Sequence, residues 1–341
     1  MFQNVKKLDE NREFIPKDQL KNKSSWADSV LGRLKTDGWD NYYENLPTKL
    51  SNTIYENKRT TSLSKKIYKI YFNINGPFHI LPDFLFLGPG ACGTTSMLEL
   101  YLRSNNDILP SKINEIRYFD KKHVNPINWY KVLFPSKLTK NIRKLSGKKT
   151  ITGEASGSYI LNPNAPARIK KIIPDVKFIV MLRNPVNRTL SHYKRRIRNK
   201  TEKRSLEDLI KYELKNFEDE FKKYVENENS MSVYPKTSYL ARSRYSEHIK
   251  IWFEHFSRDQ FLFINSDEYF KNPLQEYNRI LEFLELPKHN PVIIGKRGIS
   301  PPGLYDNISI KSETIDFLKN YFSPWNEKLF NLIKTRYDWN K

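Results

Sequence analysis

Apolar positions are sparse and irregular over the first 80 residues and become strongly patterned from Leu81 onward. The opening stretch is polar and rich in Lys and Asn, with Trp26, Trp39, Tyr42 and Tyr43 scattered through it. "SSWADSVLGRLKTDGW" there reads as a short amphipathic helix capped at Ser24 or Ser25. Beyond Leu81, "DFLFLG" is a short apolar run stopped by glycine, the pattern of a buried strand. "TTSMLELYLRS" follows, with Met97, Leu98, Tyr101 and Leu102 at helical spacing. "VKFIVMLRNP", Val176 to Pro185, predicts a second buried strand closed by Asn-Pro, and "VNRTLSHYKRRIR" a basic helix after it. "QFLFINSDEYFKNP" predicts a third strand and a turn. "SRYSEHIKIWFEHF" and "LQEYNRILEFLEL" have helical periodicity, so Tyr245, Trp252 and Phe256 are expected in a core. "ETIDFLKNYFSPWNEKLFNLIKTRYDW" reads as two helices broken at Pro324. Strands alternating with helices imply an α/β fold, a mainly parallel sheet with helices on its faces. The division expected is a helical extension over residues 1–80 and one domain over 81–341. No repeat, heptad array or low-complexity tract interrupts it.

Composition narrows the class. Of 341 residues 38% are hydrophobic and 28% charged, enough for a sizeable core and near the globular average. No apolar run reaches the roughly 18–20 residues of a membrane span. "MFQNVKKLDENREF" has no apolar h-region, so no secretory signal is expected. The single cysteine, Cys92, excludes an intrachain disulfide, and a cytoplasmic, reducing setting is the expectation. The net charge of +21 attracts polyanions: nucleic acid, anionic membrane, acidic glycan or a multiply charged nucleotide. Abundant Lys beside abundant Asn also fits plain surface solvation, so charge alone does not identify the partner.

The candidate chemistry begins after the first strand. In "GPGACGTTS", Gly88 and Gly93 have the spacing of a phosphate loop, and Thr95 stands where its Ser or Thr belongs. The lysine position of that pattern is Thr94. A glycine-rich turn entering a helix offers backbone N–H groups, and Thr94, Thr95 and Ser96 add hydroxyl donors. With the lysine absent and no clear metal-binding acid on another strand, nucleoside triphosphate hydrolysis is disfavoured. The second strand puts Arg183 at its carboxyl end and Ser191 on the following helix, where ligands of open α/β sheets sit. Two separate phosphate sites point to a bis-phosphorylated nucleotide. His192 is expected on a helix surface. Cys92 is open to two readings, a reactive thiol at a helix start or a small loop residue. The six histidines and one cysteine show no zinc-ligand spacing. The basic run Lys194–Arg204 is either a solvated face or a hold for an anionic acceptor.

From about Asp83 onward the chain resembles the sulfotransferases that use 3'-phosphoadenosine 5'-phosphosulfate (PAPS), in the branch of the heparan sulfate N- and 3-O-sulfotransferases and their bacterial relatives. "GPGACGTTSM" is similar to the loop that binds the phosphosulfate end, which makes Ala91, Cys92, Gly93, Thr94, Thr95 and Ser96 expected donor contacts. "LRNPVNRTLSHY" is similar to the 3'-phosphate motif, with Arg183 and Ser191 as its ligands. "NEIRYFD" resembles the segment whose glutamate is the catalytic base, which carries onto Glu115. "KRGISPP" resembles a basic segment that closes over the donor, so Lys296, Arg297 and Gly298 are candidates. "GEASGSYIL" and "YFSPWNEKLFNLI" also have family counterparts. The resemblance implies a phosphate-loop-like three-layer α/β/α fold and no metal. It also implies sulfuryl transfer from PAPS, leaving 3'-phosphoadenosine 5'-phosphate (PAP), to a hydroxyl or amine of a glycan or small molecule.

One departure matters. Most relatives carry a lysine two residues before the glycine of Gly-Thr-Thr, where it steadies the leaving phosphate; this chain has Ala91. Three readings follow. Another cation among Lys112, Arg117, Lys296 and Arg297 replaces it, the enzyme is slow, or the protein binds the nucleotide without catalysis. A nucleic-acid-binding protein remains a further alternative from the charge, although no reading motif for DNA or RNA is visible. The oligomeric state is not legible.

Overall fold

The computed structural model describes residues 62–113, 115–120, 125–226, 238–292 and 308–340. The helix expected at Ser24 or Ser25, with Trp26, Trp39, Tyr42 and Tyr43, lies outside them. Five strands form one sheet: β1 (Phe84–Leu87), β2 (Ile108–Pro110), β3 (Ile151–Ala155), β4 (Lys177–Leu182) and β5 (Phe261–Asn265). Their order is β2-β3-β1-β4-β5 and every pairing is parallel. The helices through the centre of the chain are α1 (Ser62–Asn75), α2 (Thr94–Ser96), α3 (Ile127–Lys131), α4 (Lys137–Leu145) and α5 (Ala165–Ile172). Then come α6 (Pro185–Arg198), α7 (Leu206–Glu226), α8 (Tyr245–Phe253), α9 (Ser266–Lys271), α10 (Pro273–Phe283) and α11 (Ser312–Ile333).

The continuous apolar runs behave as strands covered on both sides. Phe84 to Leu87 are all buried, as are Phe178 to Leu182. Alternation then sorts them. Leu85 and Leu87 join Phe178 and Val180 under α5, α8 and α11, where Ile169, Trp252 and Phe330 pack. Phe84 and Phe86 join Ile179 and Met181 on the opposite face, under Met97, Tyr101, Tyr277 and Leu281. The result is the three-layer α/β/α arrangement read from the sequence. Tyr245, Trp252 and Phe256 are core residues as expected. A third cluster ties α6 to α7 and α11 through Val186, Tyr193, Leu209, Leu318 and Phe322.

Connections from β1 lead toward β2, and those from β4 lead the other way toward β5, so the chain reverses direction between the carboxyl ends of β1 and β4. Such a reversal opens a crevice where ligands of α/β sheets sit. Backbones approach closely there. A Cβ on Gly157, after β3, would stand 2.5 Å from the carbonyl oxygen of Gly88, after β1. Only glycine permits that contact.

Two helical expectations change. The helix after the phosphate loop starts at Thr94 but widens into a π-helical stretch over Met97–Tyr101 and tightens again at Leu102–Ser104. Met97, Leu98, Leu100, Tyr101 and Leu102 are all buried along it. Pro324 does not break the last helix, since α11 is continuous across it. Pro324 and Asn320, whose carbonyl loses its donor, are both exposed, so water can satisfy the carbonyl. The opposite face, with Leu318, Phe322, Leu329 and Phe330, stays in the core.

Ahead of Leu81, the chain already contacts the domain. The Ile80 N–H donates to the Pro135 carbonyl at 3.1 Å, and His79 Nδ1 lies 2.6 Å from the Phe134 carbonyl. Among the described residues no helix is long and apolar enough to cross a membrane.

Candidate active site

The phosphate loop leaves β1 at Gly88 and passes through left-handed backbone at Gly90 (φ 83°), Ala91 (φ 62°) and Gly93 (φ 87°) before α2. Glycine takes that conformation freely; alanine does so at a cost of roughly 1–2 kcal/mol. Turns that line up successive backbone N–H groups form concavities that receive anions. Cys92 is fully buried beneath the loop, and its carbonyl accepts from the Ser266 hydroxyl at 2.5 Å. Burial pushes its thiol up to about 11 against the pull of Arg188 and Arg183. It is thus a small loop residue and not a reactive thiol. The Ser96 hydroxyl is also turned inward, donating to Gly93 and lying 2.7 Å from the Tyr269 hydroxyl. Thr94 is half-buried and Thr95 exposed, so these two carry the hydroxyls nearest open space.

Arg183 ends β4 where the sequence pattern put it. Its Nη1 donates to the Ala91 carbonyl at 3.1 Å, its guanidinium lies 5.9 Å from the Phe270 ring centre, and its Nε is buried without a partner. Asn184 caps α6, accepting from the backbone N–H of Val186 at 2.9 Å, and Pro185 supplies the pre-set first turn. That cap fixes where α6 presents Ser191, which is half-buried. His192 departs from its expected surface position. It is 5% exposed and packs edge-on against Tyr239. The third hydrophobic cluster draws α6 down onto the segment after α7, burying the face that carries this ring. Burial, followed by Arg188, Arg242, Arg195 and Arg196, drives its pKa far down, so it is neutral.

Glu115 follows β2 and sits at left-handed φ of 52°, with Arg117 at 56°. The Glu115 N–H donates to the Ala155 carbonyl at the end of β3, and the buried Ile116 pins the turn. The Gly157 backbone, two residues beyond Ala155, is among the groups that favour the ionised Glu115 carboxylate. Gly157 also presses on Gly88, so the turn that carries Glu115 is bonded to the segment after β3 that abuts the foot of the phosphate loop. Glu115 is exposed at its surface while protein crowds its carboxyl. That crowding raises its pKa, with the Arg117 charge pulling the other way.

Beneath this turn lies a carboxyl that sequence pattern did not single out. Glu154 of β3 is 1% exposed and accepts from Tyr130 at 2.6 Å, Tyr159 at 3.0 Å and Ser156 at 2.7 Å. Ser156 in turn accepts from the Arg117 N–H at 3.0 Å, so the buried acid braces the backbone beside Glu115. Burial pushes Glu154 up to about 7.

The proposed replacement cations fare differently. Arg117 pairs with Asp120 at 2.7 Å. Lys112 is half-buried, and burial lowers it to about 8. Lys296, Arg297 and Gly298 lie outside the described residues. Sequence pattern flagged Arg195 only within the basic run Lys194–Arg204, without a donor role, and passed over Arg242. Arg195 lies four residues after Ser191 on α6, a spacing that shares a helix face and could have flagged it. Nothing local marks Arg242. Among the described residues no cluster of His, Cys, Asp and Glu is suited to a metal ion.

The sulfotransferase domain family matches residues 81–295. The bifunctional heparan sulfate N-deacetylase/N-sulfotransferase 1 of Caenorhabditis elegans is 28% identical over 221 residues, covering 63% of this chain and 23% of that protein. The heparan sulfate glucosamine 3-O-sulfotransferase 3B1 of Mus musculus is 26% identical over 285 residues, covering 76% of this chain and 65% of that protein. The chain thus spans less than two thirds of either relative's length. A sulfotransferase of Alicyclobacillus acidocaldarius shares the fold, with a TM-score of 0.55, 23% identity, and coverage of 77% of this chain and 100% of that one. With the family match running through the phosphate loop, Glu115, Arg183 and α6, the chain belongs to the sulfotransferase domain family.

Proposed function

We propose that this protein transfers a sulfuryl group from PAPS to a hydroxyl or amine of a glycan, with Glu115 as general base. The observation that carries the reading is the bond from the Glu115 N–H to the Ala155 carbonyl, two residues before the Gly157 that abuts Gly88, which sets a proton acceptor's backbone beside a phosphate loop. The residues present fit a donor with two separated anions. The left-handed loop suits one anion, and Arg183, with its buried Nε lacking a partner, suits the second together with Ser191. The glycan acceptor is inferred from the relatives named above, and the +21 charge suits an anionic one.

PAPS supplies the activated sulfuryl group. The acceptor oxygen or nitrogen forms a bond to sulfur as the bond from sulfur to the 5'-phosphate oxygen breaks, and PAP departs with that electron pair. The acceptor proton passes to the Glu115 carboxylate, which must be ionised to take it. The loop and Arg183 hold and orient, and no metal enters this scheme. The second reading, a nucleotide-binding protein without catalysis, is favoured by one feature alone, the uncharged Ala91 in the loop. Transfer of radiolabelled sulfate from PAPS to a panel of glycans and small hydroxyl and amine acceptors tests both. Label on an acceptor supports the enzyme. PAP binding without label on any acceptor supports the second reading, and no PAP binding removes both.

A further inference from the structure

The residue that would carry the lysine is ringed by arginines from other elements. Arg183 Nη1 donates to the Ala91 carbonyl at 3.1 Å. Arg242 Nη1 donates to the Pro89 carbonyl at 3.4 Å. Between them stands Gly90. A Cβ built on it would lie 3.8 Å from Arg195 Nη2 and 3.9 Å from Arg242 Nη1, so two guanidinium groups converge on one peptide unit next to Ala91. Both side chains are half-buried, and Arg195 forms no ion pair with a described carboxylate. Glu213, whose charge acts on the neighbouring Arg188, is held by the backbone N–H groups of Tyr239, Leu240 and Ala241 at 2.7, 2.9 and 2.8 Å.

The supports of the pair are built in. Arg195 reaches His192 Nδ1 at 3.4 Å. Surrounded by cations, that ring stays neutral and can accept there, which leaves its Nε2 as a buried donor without a partner. Arg242 Nε is held by the Ser238 hydroxyl at 3.3 Å. Beneath them Arg188 is fully buried and has an Nη1 without a partner. Like charges brought this close repel, and an anion held between them would relieve that repulsion.

We propose that Arg195 and Arg242 together replace the missing loop lysine, holding the donor's 5'-phosphate and neutralising the charge it gains as the sulfur–oxygen bond breaks. This rests on the donor reading above. Planar guanidinium groups suit phosphate oxygens through paired N–H donors, where a lysine offers one point charge. The charge needed at the leaving oxygen is thereby supplied by α6 and the turn before α8 instead of by the loop.

The test compares ligands that differ only at the 5' end. Calorimetry with PAP and with adenosine 3'-phosphate is run on the wild type, Arg195→Gln, Arg242→Gln and the double variant. The expected result is a loss of PAP affinity of roughly ten- to hundredfold in the double variant, the worth of a charge-assisted hydrogen bond. Adenosine 3'-phosphate should change less than about threefold. Adding Ala91→Lys to the double variant should restore about tenfold in PAP affinity. Equal losses for both ligands, or none for PAP, would overturn the assignment. A second measurement reads the chemical step. In single-turnover sulfate transfer the double variant should fall by about 10²–10³ and recover about tenfold or more when Ala91→Lys is added, because the loop then supplies the cation. A double variant that keeps the wild-type rate, or one that Ala91→Lys does not rescue, would overturn the proposal. A wild type that binds neither nucleotide would sink the donor reading itself, an outcome distinct from PAP binding that ignores the arginines.

Discussion

Replacing Glu154 with Gln should make the protein more resistant to rising pH. The Glu154 carboxyl is 1% exposed, and its three neighbours at hydrogen-bond distance are the hydroxyls of Tyr130, Tyr159 and Ser156. Those bonds favour the ionised form, but burial outweighs them, and its pKa moves from an ordinary 4.5 to about 7. Nearby Glu115 pushes in the same direction. Tyr130 and Tyr159 have their own pKa values raised well above the usual range, so neither titrates in this interval. Between pH 4.5 and 7 the folded protein holds a proton that the unfolded chain releases. Stability tied to this group is therefore complete below 4.5 and drains away as pH rises to about 7. The span corresponds to about 3 kcal/mol. Glu154→Gln keeps the shape and removes the titration. In urea denaturation at a series of pH values, the variant should gain about 3 kcal/mol relative to wild type between pH 4.5 and 8, whatever fixed cost the amide brings. Parallel curves for the two proteins across that range would refute the reasoning, because they would mean the carboxyl is not held protonated by the fold.

Glu115→Gln should lower turnover by about 10²–10⁴ while leaving PAP affinity nearly unchanged, since the amide cannot take the acceptor proton; steady-state turnover near wild type on a verified acceptor would place the base elsewhere. Arg183→Ala should weaken PAP far more than adenosine 5'-phosphate, because only PAP carries the second anion, and calorimetry showing equal losses would reject that role. Cys92, fully buried with its thiol pushed up to about 11, should react with a disulfide reagent at pH 8 only after denaturation. Rapid labelling of the native protein would contradict that placement.

The parts of this fold that were legible share one property: their signal is local and apolar. β1 is an unbroken hydrophobic run and β4 and β5 are apolar but for Lys177 and Asn265 at their ends, as burial on both faces requires. β2 and β3 were missed because β2 is three residues long and β3 reads "ITGEA", with polar side chains whose burial depends on partners elsewhere. Thr152 satisfies its hydroxyl on the Leu109 carbonyl at 2.6 Å, and Glu154 needs two tyrosines and a serine. No window centred on β3 contains Tyr130. The same limit explains His192. The basic helix around it predicts an exposed ring, whereas Tyr239 and the packing of α6 on α7 and α11 bury it.

The loop was legible for the opposite reason, since glycine spacing is a backbone demand written into adjacent residues. Its charge was not. A phosphate needs positive charge at a point in space, and the fold can deliver that charge from any element whose side chain reaches the point. Position 91 is one address; the helix after β4 and the turn before α8 are others, and the close approach at Gly90 brings both within reach. Alanine at position 91 therefore removes a residue without by itself removing a function. Whether catalysis survives depends on guanidinium groups that lie some hundred and more residues further along the chain, on α6 and before α8. The uncharged loop is thus weak evidence for a protein without catalysis. Even so, a departure in a short motif still carries information. It marks where a compensating group must be sought, and among the described residues the arginines that converge on Gly90 meet that demand.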